Sequence, residues 1–481
     1  MQLVAFGAQD IYLTGQPQIT FFKVVYRRYT NFAMESIEQT FNGAADFGKK
    51  VTCTISRNGD LLHKVYLRVE LPDVTVKESS SFRWLNWLGH ILLKSVEVEI
   101  GGQRIDKHYG DWLHMWNELT QTAGHQLGYA NMVGNIPQLT NPRTTDTNEA
   151  EVKGEILYIP LEFWFCRNPG LALPLIALQY HEVKLTLELA DKKDCYWAAD
   201  FDDQQTGMDQ YTFNASRASF GSLKSASLYV DYIYLDTDER RRFAQMSHEY
   251  LIEQLQFSGD ESTSNTNNKI KLTFNHPCKS LYWNIQPDDN VDNTAPFGKQ
   301  WFNYTDSQDS SFRAQPTPTE LEAYSGSMPG VAAGGTTGVF LPVTFEGGAN
   351  PMVEGKLQLN GHDRTSERDG RYYNLVQPYQ HHENVPKAGV NMYSFALKPE
   401  EHQPSGTCNF SRIDNAVLHM RLTNNAVSNK TARIRVYALS YNVLRIMSGM
   451  GGLLAMLEMV FSNMLCLTLV SSSLKRPLIA C

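Results

Sequence analysis

No two of the seven cysteines, Cys53, Cys166, Cys195, Cys278, Cys408, Cys466 and Cys481, are spaced as CxxC. Scattered and odd in number, they exclude a zinc ribbon or a disulfide frame and read as reduced, mostly buried thiols. The chain also lacks a phosphate loop, a nucleophile elbow and an HExxH helix; Gly449–Gly452 is glycine-rich but no Lys, Ser or Thr follows to hold a phosphate. No basic stretch followed by an apolar one opens the chain, so a secretory signal is not expected and folding in cytosol is. Basic residues are outnumbered, 43 Lys and Arg against 51 Asp and Glu for a net charge of −8. That balance argues against nucleic acid as a direct partner. Long apolar runs are missing with one exception, Leu453–Val470. It has spanning length but carries Glu458, Ser462 and Asn463, so a tail docked on a partner is the expectation.

Candidate chemistry is equally thin. His381, His382 and Glu383 are adjacent, and neighbouring side chains of a strand point to opposite faces. Gly361–Asp363 offers only one His and one Asp. Asp200, Asp202, Asp203 and Asp209 lack the spacing of a calcium loop and its closing Glu. No catalytic residue, metal site or cofactor is therefore expected, and the chain reads as non-enzymatic.

What is present is a chain of 481 residues with 42% hydrophobic and 20% charged side chains, ordinary for globular protein and long enough for two domains. Period-two alternation recurs throughout, the mark of a strand with one face buried. It places Val65, Leu67, Val69 and Leu71 on one face, and likewise Val96, Val98 and Ile100, then Val183, Leu185, Leu187 and Leu189. Ile270, Leu272 and Phe274 follow, then Leu418, Met420 and Leu422, and Ile434, Val436 and Ala438, with the intervening Lys, Arg, Glu and Thr facing water. This predicts antiparallel, half-solvated sheet. Helical patterns are few, the clearest being His108–Gln121 and Asp238–Gln254.

The chain also repeats itself. Val96–Gln121 is echoed by Gly355–Gln380, with Gly102 matching Gly361 and Gly110 matching Gly370. Ile156–Phe165 is echoed by Gly389–Leu397, and the strand ending at Pro72 by the one ending at Pro287. The predicted fold class is all-β: two tandem eight-stranded antiparallel jelly-roll β-sandwiches, a double jelly roll that disposes of exposed sheet edges, with short helices and long loops. The expected domains are an N-terminal arm (1–35), a first roll (36–238), a bridge (239–252), a second roll (253–448) with a long insertion (288–350), and a C-terminal tail (449–481). Asp191–Ser219 is the acidic counterpart of the insertion, and Arg240, Arg241 and Arg242 of the bridge read as a solvated or interdomain helix face. Sequons at Asn214, Asn303, Asn409 and Asn429 are candidate glycosylation sites of low weight. A carbohydrate-binding β-sandwich is the alternative reading.

Gly7–Ser36, the bridge Asp238–Gln254 and the ending Tyr441–Leu453 resemble the major capsid proteins of nucleocytoplasmic large DNA viruses, in particular the iridovirus and marseillevirus branches. The resemblance runs from about Met1 to Leu453. It implies a homotrimer whose six rolls form a pseudo-hexagonal capsomer, tiling the icosahedral outer shell of a virion made and assembled in host cytoplasm. Neighbouring capsomers, minor capsid and penton proteins are the implied partners, with the inner viral membrane reached through the arm or the tail, and the insertion turned outward. Met464–Cys481 have no counterpart in that pattern. Within the arm, Tyr12, Ile19, Phe21, Phe22, Tyr26, Arg27, Arg28 and Tyr29 are the candidate assembly residues. Gln2–Thr20 is expected to reach neighbouring components while Phe21–Phe32 anchors on the first roll; packing of the whole arm on its own roll is the competing expectation.

Overall fold

Eight strands make the first roll: β1 (Phe32–Gln39), β2 (Lys50–Thr54), β3 (Leu61–Glu70), β4 (Leu93–Ile100), β5 (Gln103–Tyr109), β6 (Ile156–Pro160), β7 (Val183–Leu189) and β8 (Ser225–Leu235). In the computed structural model, which describes residues 7–145, 149–202, 211–293, 295–308, 348–428 and 430–453, they form two antiparallel sheets ordered β1-β8-β3-β6 and β2-β7-β4-β5. The second roll is built from β9 (His248–Thr263), β10 (Asn267–Leu272), β11 (Pro277–Pro287), β12 (Met352–Leu359), β13 (His362–Asp363), β14 (Val390–Ser394), β15 (Ala416–Leu422) and β16 (Ala432–Met447). Its sheets run β9-β16-β11-β14 and β10-β15-β12-β13. Every strand of the second roll occupies the place of the strand eight before it, so the repeat read in the sequence is a repeat of topology.

The matched glycines sit where that topology needs them. Gly102 (φ 80°) and Gly361 (φ 81°) each follow another left-handed residue, Gly101 and Asn360, in the two-residue turns β4-β5 and β12-β13. Paired positive φ values give the turn whose twist suits a hairpin. Gly110 and Gly370 each open the helix that follows: a Cβ at Gly110 would strike the His90 carbonyl oxygen, and one at Gly370 that of Met352.

Each roll has its own core between its sheets, Val65, Leu67, Val98, Leu185 and Val230 in the first and Leu281, Trp283, Leu357, Leu418 and Val436 in the second. The first roll's loops carry two further sheets. One joins Val74–Val76, Ala150–Val152 and Ala218–Ser219; the other joins Ser80–Trp84, Arg143–Thr145, Tyr196–Phe201 and Tyr211–Phe213. The base of the second roll's insertion leans on the latter, Phe297 against Trp197 at 5.6 Å between ring centroids and Trp301 Nε1 donating to the Asp194 carbonyl at 2.9 Å. The acidic segment after Asp191 and the insertion thus meet; Asp203, Asp209 and residues 309–347 lie outside the described residues.

Two expectations are corrected. The helix expected over Asp238–Gln254 is only Thr237–Gln245, capped by Asp236, whose carboxylate accepts from Thr237 N at 2.8 Å. From His248 the chain is strand β9, because Ile252 and Leu255 bury on opposite faces, one in each roll's packing. Nor do all intervening polar residues face water: Thr186 and Arg435 are buried. β16 is covered on both faces from Arg435 to Tyr441, and the helix α1, Gly110–Thr120, is what covers it.

Candidate assembly surfaces

Helix α1 leaves the first roll's core through Leu113 and lays Trp112, Met115, Trp116 and Leu119 on the outer face of the second roll's sheet. Spacings of three and four residues put those four on one stripe. Trp112 packs against Tyr282 of β11 at 5.2 Å and Tyr437 of β16 at 5.9 Å. Leu255, Val390, Met392 and Leu439 complete the patch. This seam fixes the two rolls as one unit.

Its charges are paired across the seam. Arg435 meets Asp111 of α1, donates to Asp260 Oδ1 at 2.9 Å and to Gln286 Oε1 at 3.1 Å. Burial opposes the guanidinium charge, but Asp111 and Asp260 outweigh it and hold Arg435 protonated. Glu253, on β9, takes Lys279 of its own roll at 2.6 Å and Arg167 of the first roll at 2.8 Å. Arg167 also lies over the Trp116 ring at 4.6 Å. Burial lowers Lys279, and Glu253 works against that shift. One carboxylate thus bridges cations from both rolls, an arrangement that costs desolvation and fixes geometry.

The sequence ending Tyr441–Leu453 has a structural reason. Met450–Leu453 folds back on Leu444–Met447, and the hairpin seats on the first roll, Tyr180 N donating to the Gly449 carbonyl at 2.9 Å. Gly449 is left-handed (φ 81°) and a side chain there would collide with the Tyr180 ring. Ile252, Leu444 and Ile446 belong to the first roll's core. Arg240 of the helix Thr237–Gln245, expected on a solvated or interdomain face, pairs with the buried Asp60 of the first roll at 3.0 Å; Arg241 stays on the surface.

The arm is a different kind of surface. A short turn of helix spans Asp10–Thr14 with no buried residue. Tyr12, Ile19, Tyr26, Arg27, Arg28 and Tyr29 are exposed, and Phe21 and Phe22 are as open as in an extended chain (102% and 99%). The anchor expected over Phe21–Phe32 is therefore not made to the chain's own roll, and neither is packing of the whole arm: contact begins at Phe32, where β1 pairs with Leu235 of β8. Leaving large apolar side chains in water forgoes about 1.5–3 kcal/mol each.

The remaining sites separate. Asn303 is buried and donates to Gln300 Oε1 at 2.7 Å and the Ser307 carbonyl at 3.1 Å, so a glycan does not fit there. Asn409 is exposed and Asn214 half-buried, each accepting from the backbone N–H two residues on. Asn429 and the tail from residue 454 lie outside the described residues. His381 Nδ1 meets the Leu397 carbonyl oxygen at 3.0 Å, whereas His382 turns inward to Glu400 at 2.6 Å and Tyr282 at 3.0 Å. Among the described residues no group of three or more His, Cys, Asp or Glu is placed to hold a metal, and no helix is long and apolar enough to cross a membrane.

The seam residues escaped the sequence reading, which named a helix over His108–Gln121 and assigned it no packing role. The signal was there in Val436–Leu439, apolar at four successive positions where a half-solvated strand would alternate.

Two jelly rolls of one topology, locked by a buried seam, define a double jelly-roll protein. Residues 20–236 match the family described as major capsid protein N-terminus, and 239–452 the family described as large eukaryotic DNA virus major capsid protein. The major capsid protein of Phaeocystis pouchetii virus is 52% identical over 519 residues, covering 94% of this chain and 98% of its own. That of Invertebrate iridescent virus 3 is 26% identical over 473 residues, covering 92% and 94%. Among solved structures, VP54 of PBCV-1 superposes with a TM-score of 0.66 at 38% identity, over 90% of this chain and 99% of that one. The chain belongs to the family of major capsid proteins of large eukaryotic DNA viruses. It is a non-enzymatic protein of the virion's capsid shell.

Proposed function

We propose that the chain homotrimerises into pseudo-hexagonal capsomers that tile the icosahedral shell of a large double-stranded DNA virus, assembled in host cytoplasm. The observation that carries this reading is the pair of rolls with one strand order held rigidly by the α1 seam. Three copies of a twofold-repeated unit present six similar sides, which suit a hexagonal lattice. Trimer contacts belong to the obligate class, about 2,000 Å² or more; contacts between capsomers are individually weaker and add through multiplicity.

The exposed arm supports a further part of the reading: Gln2–Thr20, with Tyr12 and Ile19, reaches neighbouring capsomers, minor capsid or penton proteins, or the inner membrane. Phe21, Phe22, Tyr26 and Tyr29 find their cover there, with Arg27 and Arg28 at the rim. Native mass spectrometry of the purified chain tests the trimer, and a stable monomer at tens of micromolar would overturn it. Deleting the residues before Thr20 tests the arm. Trimers should persist while shell assembly fails; loss of folded trimer would show the arm to be part of the subunit's own core.

A further inference from the structure

The seam between the rolls uses a helix and a sheet, and each roll has both. The second roll's counterpart of α1 begins at Gly370 and runs through Tyr372–Val376 and Gln377–His381. Aligned on the two glycines, Leu113 falls on Tyr373, and each is buried in its own roll's core. Trp112, Met115, Trp116 and Leu119 fall on Tyr372, Leu375, Val376 and Tyr379. The first four are buried in the seam. Of the second four, Leu375, Val376 and Tyr379 are exposed (44%, 40% and 80%) and Tyr372 is half-buried.

The sheet has the same unmet counterpart. In the seam, Trp112 rests on the cross-strand pair Tyr282 and Tyr437. The first roll carries a tyrosine pair at the same place, Tyr66 of β3 opposite Tyr229 of β8. Beside it, Tyr158 opposite Arg68 stands where Val390 opposes Asn284. Tyr158 and Ile156 are exposed, and Tyr66 and Tyr229 half-buried. The polar residues differ: Arg371 replaces the acid Asp111 on the helix, Ser227 stands in the place of Arg435, and Glu70 stands in the place of Gln286, an acid on the face that would receive Arg371.

We infer that the helix beginning at Gly370 docks on the outer face of β1-β8-β3-β6 in a second copy of this chain, repeating between subunits the seam that α1 makes within one. This rests on the trimer reading and deepens it. A helix-on-sheet contact is heterologous, so each chain offers one donor and one acceptor face, and such contacts close into a ring only when the rotation does. If both seams turn by the same angle, six rolls close at about 60° each, which is three chains.

The test uses the full chain. Leu375→Glu with Tyr379→Asp, and separately Tyr158→Glu, change exposed positions, so the circular dichroism spectrum should match wild type. Native mass should fall from trimer to monomer at tens of micromolar for both variants; trimers that survive both overturn the inference. Because Met115 Sδ lies 3.4 Å from Asn284 Nδ2 in the seam, the pair Leu375→Cys and Arg68→Cys should cross-link between copies under oxidation. A non-reducing gel should show a ladder ending at three chains, with each single variant uncross-linked. A trimer that forms without this cross-link overturns the interface and leaves the trimer reading standing. A wild-type monomer overturns the trimer reading itself.

Discussion

The outer faces of two equivalent sheets show what the repeat shares and what it does not. Both rolls order their strands alike, yet β9-β16-β11-β14 is buried on its outer side and β1-β8-β3-β6 is open there. Topology follows the pattern within each copy, whereas burial follows what lies against it. Equivalent residues thus have unequal worth, and paired substitutions measure the inequality.

The largest effect belongs to the aromatic stripe. Trp112→Ala should lower unfolding free energy by about 3–5 kcal/mol, as large aromatic truncations in cores do. Tyr372→Ala at the equivalent place should cost far less in the isolated subunit, and urea denaturation of both variants reads the difference. Next comes Glu253, whose removal leaves the half-buried Arg167 and the buried Lys279 without their shared carboxylate; Glu253→Gln should cost about 3 kcal/mol. Its counterpart by register, Met34 on the open sheet, should tolerate the same change without measurable loss.

A third contrast is set by pH. Burial holds His90 and His114 well below the ordinary histidine range, and lowers His382 against the pull of Glu400. The folded chain keeps these rings neutral while the unfolded chain protonates them near pH 6.5, so stability is full above that value and is lost as pH falls through it. Each such histidine contributes a slope of about 1.4 kcal/mol per pH unit. Urea midpoints between pH 7.5 and 5.5 should therefore decline, and His114→Asn, the residue found at the matching Asn374, should shallow the decline. The smallest effect is at the helix Thr237–Gln245, where Arg240 is half-exposed: Arg240→Ala should cost about 1 kcal/mol or less.

Strands with one wet face were legible in the sequence, since Val65, Leu67 and Val69 alternate with Tyr66 and Arg68 and bury as that alternation demands. So were the glycines, because a left-handed turn at Gly102 or Gly361 and a crowded helix start at Gly110 or Gly370 leave little other choice. Double burial was what defeated the reading. In Tyr250–Leu255 apolar residues fall on both parities, which helix and two-faced strand satisfy equally. The arm is a different case: its aromatics led to an expected anchor on the first roll, yet Phe21 and Phe22 stand exposed on the single chain.

Ile252, Leu444 and Ile446 complete a core whose other members are all made before residue 237. A first roll made up to residue 237 therefore lacks these three side chains and leaves that part of its core uncovered. A chain broken off anywhere before Leu444 has no finished first roll. The integrity of the first roll is thereby tied to the chain's far end, since one strand serves both rolls.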